Sequence, residues 1–274
     1  MKRATGMLAA FLPLLALGAH AGEVVVVAPD SPMAPYREAL QGVCDALGEC
    51  PPVWKTADAP EMPDDVRVVI ALGGRAARLR YRAGTAVVTA LSPGREPRRD
   101  VAAAVRLTYA PSEFARRLRN LVPTGRRAFL LWSEPASGRF AAEVRREAAL
   151  LSWNAVPIRV RDPEDIPALL RSLAAADALW MAPDPDLVTP TTFDAVREAA
   201  ASRGAVFFAP APGLAERGAT PGLAPSFRAS GLRAGEIARA LLARKPAPEV
   251  AYPDDAPLDG RALLVSTRTA PSER

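Results

Sequence analysis

The chain has 274 residues, 49% of them hydrophobic and 24% charged, so it can bury a substantial core and is too apolar for wholesale disorder. Its net charge of +5 comes mostly from arginines set beside glutamates along helical faces, among them Arg116, Arg117, Arg119, Arg145 and Arg146. No basic block interleaved with aromatics occurs, which argues against nucleic-acid binding.

Lys2 and Arg3 precede an apolar segment from Met7 to Leu17, and Ala19 and Ala21 then stand at the small-residue positions of a secretory cleavage site. About eleven apolar residues fall short of the roughly twenty a membrane span needs. Residues 1–21 are therefore expected to be a cleaved signal peptide, with Gly22 the mature N-terminus in the periplasm. No cysteine follows the site, so no lipid anchor is indicated. Cleavage would remove His20, the only histidine, and with it any Ser-His-Asp triad, Cys-His pair or ordinary zinc site. Carboxylate-only catalysis stays open, but no flanking acid pair can be picked out of the scattered Asp and Glu residues. The expectation is a binding protein rather than an enzyme, with no cofactor and no metal.

In chain order, EVVVVAP (Glu23–Pro29) is a continuous β-branched run, as in a strand buried on both faces. Tyr36 to Leu47 reads as a helix with Tyr36, Leu40, Val43 and Leu47 on one side. The cysteines follow in CDALGEC. Six positions apart on one helix they face different ways, so a Cys44–Cys50 bridge requires Gly48 to end the helix and let Cys50 fold back; two free thiols are the alternative. PVWKTA is a weak strand, VRVVIAL (Val66–Leu72) a buried one followed by GGRAARLR, a glycine turn opening a helix, and TAVVTAL (Thr85–Leu91) another strand.

The rhythm then repeats. Ser112 is placed to cap a helix with Phe114, Leu118 and Leu121 inward; RAFLLW is a strand, Gly138 to Leu151 a helix, and VPIRV a strand. Asp162-Pro163 opens a helix burying Ile166, Leu169, Leu170 and Leu173. DALWMA and AVFFAP are strands separated by a helix starting near Thr192. A helix from Ser230 to about Ala243 ends at Lys245-Pro246, and EVAY and ALLVST close the chain as strands.

Strands alternating with helices imply right-handed βαβ units, and two such runs broken around Arg106 to Pro111 imply an α/β protein of two doubly wound parallel-sheet lobes joined by a hinge. Ligands of open parallel sheets bind beyond the carboxyl ends of the strands. The small polar groups placed there are Asp30, Ser31, Gly73, Gly74, Ser92, Ser133 and the stretch from Asp184 to Thr192. Asp184, Thr189, Thr191 and Thr192 suit a solute's amino or hydroxyl groups, and equally suit an Asp-Pro turn and a helix cap. Ser137 either lines the cleft or caps its helix. Trp132 and Trp180 end strands and suit either a core or an aromatic solute. Arg75 is the sharpest candidate for an anionic group.

ALWMAPDPDLVTPTTF, GAVFFAPAPGLAERGATPGLAPSF, the GLRAGEIARALL helix and the earlier RNLVPTGRRAFLLWSEPASGRFAAEVRREAALL together resemble the solute-binding proteins of ABC importers, nearest the tryptophan- and tyrosine-type group. The likeness runs from about Val105 to the C-terminus and is loose before it. It implies the type I periplasmic-binding fold: lobe 1 at residues 22–105 with about 222–246 returning, lobe 2 at 106–221 with about 247–274. It also implies a monomer that binds a small-molecule solute and presents it to an inner-membrane permease or, if transport has been lost, serves a membrane sensor. Members of that group usually carry Gly-Thr or Gly-Ser and an alanine pair where this chain has Gly73-Gly74-Arg75-Ala76-Ala77, so a hydroxyl able to reach a ligand carboxylate is missing. DAPEMPDD also stands where a helix is expected, shortening the first lobe.

Overall fold

The computed structural model describes residues 22–30, 33–58, 62–93 and 98–254. The expected signal segment and the expected strand ALLVST lie outside them. The chain begins with β1 (Val24–Ala28), α1 (Ala34–Leu47), β2 (Val53–Lys55), β3 (Val68–Leu72), α2 (Gly73–Ala76), β4 (Ala86–Ala90) and β5 (Ala103–Val105). It continues through α3 (Pro111–Leu121), β6 (Arg127–Trp132), α4 (Pro135–Leu150), β7 (Asn154–Arg159), α5 (Ile166–Ser172), β8 (Ala178–Met181), α6 (Pro190–Arg203) and β9 (Val206–Phe208). It closes with α7 (Phe227–Leu242) and β10 (Val250–Ala251).

Two sheets result, one ordered β10-β5-β4-β3-β1-β2 and the other β7-β6-β8-β9, and every strand pair is parallel. β1 and β3 are buried at every residue, which is why their sequences are unbroken Val, Ile, Leu and Ala rather than alternating. In the second unit one apolar cluster joins the sheet to α3, α4, α5 and α6, centred on Phe114, Phe140 and Trp180, whose rings meet 5.1 to 5.7 Å apart.

α7 returns to the first unit and packs along α1. The contact is backbone to backbone. Small residues at Ala39, Gly42 and Ala46 of α1 meet Gly231, Gly235 and Ala238 of α7, spaced by a helical turn. A Cβ added at Gly42 would lie 2.0 Å from the Arg228 carbonyl oxygen, and one at Gly231 only 1.8 Å from that of Ala39.

Several details depart from the sequence reading. β10 joins the first sheet, not the second: Ala104 and Arg106 donate their N–H groups to Glu249 and Ala251, completing the ladder that β5 leaves open beyond β4. β5 itself went unread because AAV is too short and too poor in β-branched residues to mark a strand. The helix opened by Gly73 stops after four residues. Its continuing carbonyls are taken by side chains, Ala76 by the Tyr81 hydroxyl at 2.8 Å and Arg78 and Leu79 by the Arg98 guanidinium at 2.9 and 3.0 Å. Proline sets the helix starts at Pro111 and Pro135, so Ser112 lies inside α3 with Ala110 at the cap, and α4 starts before Gly138. α7 starts at Phe227 with Ser226 as its cap, while Ser230 is buried and bonded back to the Ser226 carbonyl. Among the described residues no helix occupies the β2–β3 connection.

Cys44 and Cys50 form a disulfide. Gly48, at φ +81°, ends α1 in the left-handed conformation and turns the chain back toward Cys44. So short a loop constrains the unfolded chain little. Reduction, or Cys50→Ser, is expected to cost about 2 kcal/mol, seen as a Tm lower by about 4–8 °C in paired thermal melts. An unchanged Tm would mean the bridge restrains nothing that unfolding releases.

Candidate functional site

The carboxyl ends of the two sheets face a cleft that holds a cavity of about 330 Å³. Its floor is aromatic, with Trp180 and Phe140 of the second unit turning one edge of their core cluster toward it. Its polar lining comes from four segments: Ser92 after β4, Arg106 and Thr108 where the chain first crosses between units, Ser137, Arg139 and Glu143 on α4, and Glu249 and Tyr252 flanking β10. Arg106 is largely enclosed. Burial lowers its guanidinium pKa from the ordinary arginine value, with Tyr252 and Glu143 opposing that shift. Burial raises the Tyr252 phenol, and the Glu143 carboxylate raises it further. These groups therefore sense one another across the cavity, two of them carrying opposite charge.

A second cavity, of about 370 Å³, adjoins the first and shares Ser92, Pro93 and Leu107 with it. Gly74 and Arg78 of the first unit line it, as do Tyr36 at the start of α1, Phe227 of α7, and Pro185 from the second unit.

The sequence candidates divide sharply. Ser92 borders both cavities, Gly74 the second and Ser137 the first. Gly73, at φ +90°, is buried beneath Tyr36, whose hydroxyl would stand 2.8 Å from an added Cβ. Arg75 is exposed and lines neither cavity; Arg78, one turn on, lines the second. Asp30 is exposed and paired with Lys55 at 3.0 Å. Ser31 lies outside the described residues.

Asp184 does not border the cleft cavities. Its carboxylate is wholly buried and accepts the backbone N–H groups of Ser133 and Glu134 at 2.9 and 3.0 Å, the Ser133 hydroxyl at 3.2 Å and the Ser137 hydroxyl. It ties the loop after β8 to the start of α4. Thr189 and Thr192 form a capping box at the start of α6, with each side chain accepting the other's backbone N–H, and Thr191 is exposed. The polar run after β8 is thus turn and cap chemistry. The charged and polar groups that do line the cleft and went unread include Arg78, Arg106, Thr108, Arg139, Glu143, Glu249 and Tyr252. Of these only Arg106 and Thr108 carried a signal, their place in the break between the two βα runs.

Among the described residues no cluster of His, Cys, Asp or Glu is arranged to hold a metal ion, and no helix is long and apolar enough to cross a membrane. Neither a protein-family model nor a curated protein sequence matches the chain. Solved structures do. An ABC domain in complex with L-Trp from Streptococcus pneumonia matches with a TM-score of 0.53 and 15% identity, over 85% of this chain and 89% of that one. A ligand-free, open substrate-binding protein with adhesive properties from Clostridium difficile gives 0.55 and 14%, over 85% and 89%. A glucose-galactose binding protein from Geobacillus stearothermophilus gives 0.54 and 13%, over 90% and 100%. The fold is that of the type I periplasmic-binding proteins. At these identities the likeness establishes architecture alone, and transcription regulators share the type I periplasmic-binding fold as well.

Proposed function

We propose that the chain is the exported, soluble solute-binding component of an ABC-type importer, taking a small molecule between its two units without bond chemistry. The observation that carries the reading is the cleft cavity: it is of small-molecule size, has an aromatic floor, and draws polar groups from both units and the crossing between them. An amphipathic solute, with an apolar body on Trp180 and Phe140 and polar groups toward Arg106, Glu143 and Tyr252, suits that lining. Affinity would come from burying the solute as the units close. Delivery to an inner-membrane permease and release through a cleaved signal at residues 1–21 belong to the same proposal.

A ligand at about 100 times its Kd stabilises a folded protein by about 2.7 kcal/mol. A thermal-shift screen of amino acids, purines, sugars and small carboxylates is expected to find a solute that raises Tm by about 5–10 °C, with calorimetry giving one site per chain. Substituting Trp180 or Phe140 would disturb the core, so Thr108→Val and Tyr252→Phe are the informative variants; both should weaken the response. No stabiliser across the screen would end this reading. A second reading, a periplasmic sensory or adaptor module of the same fold, is favoured by the first unit's reduced helices: the described residues of the β2–β3 connection form none and α2 has four residues. Co-purification with a membrane sensor rather than a permease, together with a silent screen, would support it.

A further inference from the structure

Resting on the solute-binding reading above, we infer that the second cavity holds an anion subsite, in which the Arg78 guanidinium and the Ser92 hydroxyl converge over the bare backbone of Gly74 to take a carboxylate or phosphate group of the solute. The geometry is local and specific. A Cβ at Gly74 would lie 3.6 Å from Arg78 Nη1 and 4.0 Å from Ser92 Oγ, so glycine leaves open the space between a cation and a hydroxyl. All three residues line the same cavity, and Ser92 also borders the aromatic-floored one. A solute seated on Trp180 can therefore reach this point past Ser92.

Arg78 pairs with no carboxylate among the described residues, whereas neighbouring arginines are engaged: Arg98 with Asp100, and Arg82 with Asp64. Among the described residues no acidic side chain lines the second cavity. A guanidinium offers a planar fork of donors that suits carboxylate and phosphate oxygens, and a hydroxyl beside it adds a further donor. The residues that carry the negative charge of the cleft, Glu143 and Glu249, line the first cavity and not the second. Arg106 and Arg139 balance those carboxylates in the first cavity, whereas the second has Arg78 as the one charged residue of its described lining, which directs an anionic group toward Arg78 and the remainder toward Trp180.

The test uses matched pairs of solutes on the mature chain, succinate against succinamide for the carboxylate and glucose 6-phosphate against glucose for the phosphate, beside the general screen. The anionic member of a pair is expected to raise Tm and its neutral partner to do so far less. Arg78→Gln should raise the Kd of the anionic solute by about tenfold or more, Ser92→Ala by a smaller factor, and Arg75→Gln, outside both cavities, should leave it unchanged. Added salt should weaken binding of the anion to the parent chain and much less to Arg78→Gln. Arg78 is exposed, so the variant's melting temperature without solute should match the parent and exclude misfolding as the cause. A neutral solute that binds as tightly as any anion, with a Kd that Arg78→Gln does not move, overturns the subsite while leaving solute binding intact. A chain that binds no solute of either charge overturns both.

Discussion

Asp184→Ala should lower the unfolding free energy by about 3 kcal/mol or more, a Tm loss of about 6–12 °C. The carboxylate is fully buried and is the acceptor for two backbone N–H groups and two serine hydroxyls at the junction of β6, α4 and the loop after β8. Alanine removes the acceptor shared by all four donors, three of them part-buried and the Ser137 hydroxyl buried, and each donor left without a partner costs free energy comparable to a lost hydrogen bond. Asp184→Asn keeps one oxygen acceptor and should lose roughly half as much. Urea unfolding of the variants decides the point. A residue that served the solute would behave in the opposite way, with the solute response lost and stability kept. If Asp184→Ala unfolds like the parent, the clamp assignment is wrong.

Alanine at Gly231 or Gly42 carries the next largest expected effect, and its sign is diagnostic. Inside an ordinary helix Gly→Ala stabilises by about 1 kcal/mol, because glycine has more backbone entropy to lose. Here the added methyl would sit 1.8 Å from the Ala39 carbonyl oxygen in one case and 2.0 Å from that of Arg228 in the other, where only backbone stands in the way. α1 and α7 must separate to admit it. Overpacking of this kind costs about 3 kcal/mol, reversing the intrinsic preference. The double variant should cost less than the sum, since one outward shift of α7 relieves both clashes. Equilibrium unfolding of the two single variants and the double one measures this directly. A stabilised Gly231→Ala would mean the helices do not touch as described.

The strands were legible wherever burial on both faces demanded an unbroken apolar run, as in VVVV, VVIAL and ALWM. Alternating βα runs gave the two-unit architecture for the same reason. What escaped depends on partners distant in sequence. β10 is two residues long and exists because β5 offers it an edge, so no local pattern could assign it to a sheet. α2 ends where the Tyr81 hydroxyl takes the Ala76 carbonyl and Arg98 takes the next ones, of Arg78 and Leu79, and it is Arg78 rather than Arg75 that lines the cleft. The polar groups after β8 were recognised as either ligand contacts or turn chemistry. Thr189 and Thr192 satisfy each other's backbone in a capping box, and Asp184 satisfies a loop fifty positions earlier, a partnership that spacing does not encode.

The pairing of β5 with β10 also bears on how the halves swing. β5, which leads into the crossing at Arg106, and β10, which ends beside Tyr252, are laced together by the Ala104–Glu249 and Arg106–Ala251 hydrogen bonds, while the return from β9 to α7 is a separate crossing. A rotation of one half against the other would have to bend the chain just beyond this tie, at Arg106, and again between β9 and α7. In such a rotation Arg106 and Tyr252, beside the tie, would travel less than Pro185 and Arg78, which line the second cavity from different units. Under the solute-binding proposal, contacts near the tie would be on offer in every posture and those across the second cavity would form only on shutting, so the second cavity is where a correct cargo would be told from a wrong one.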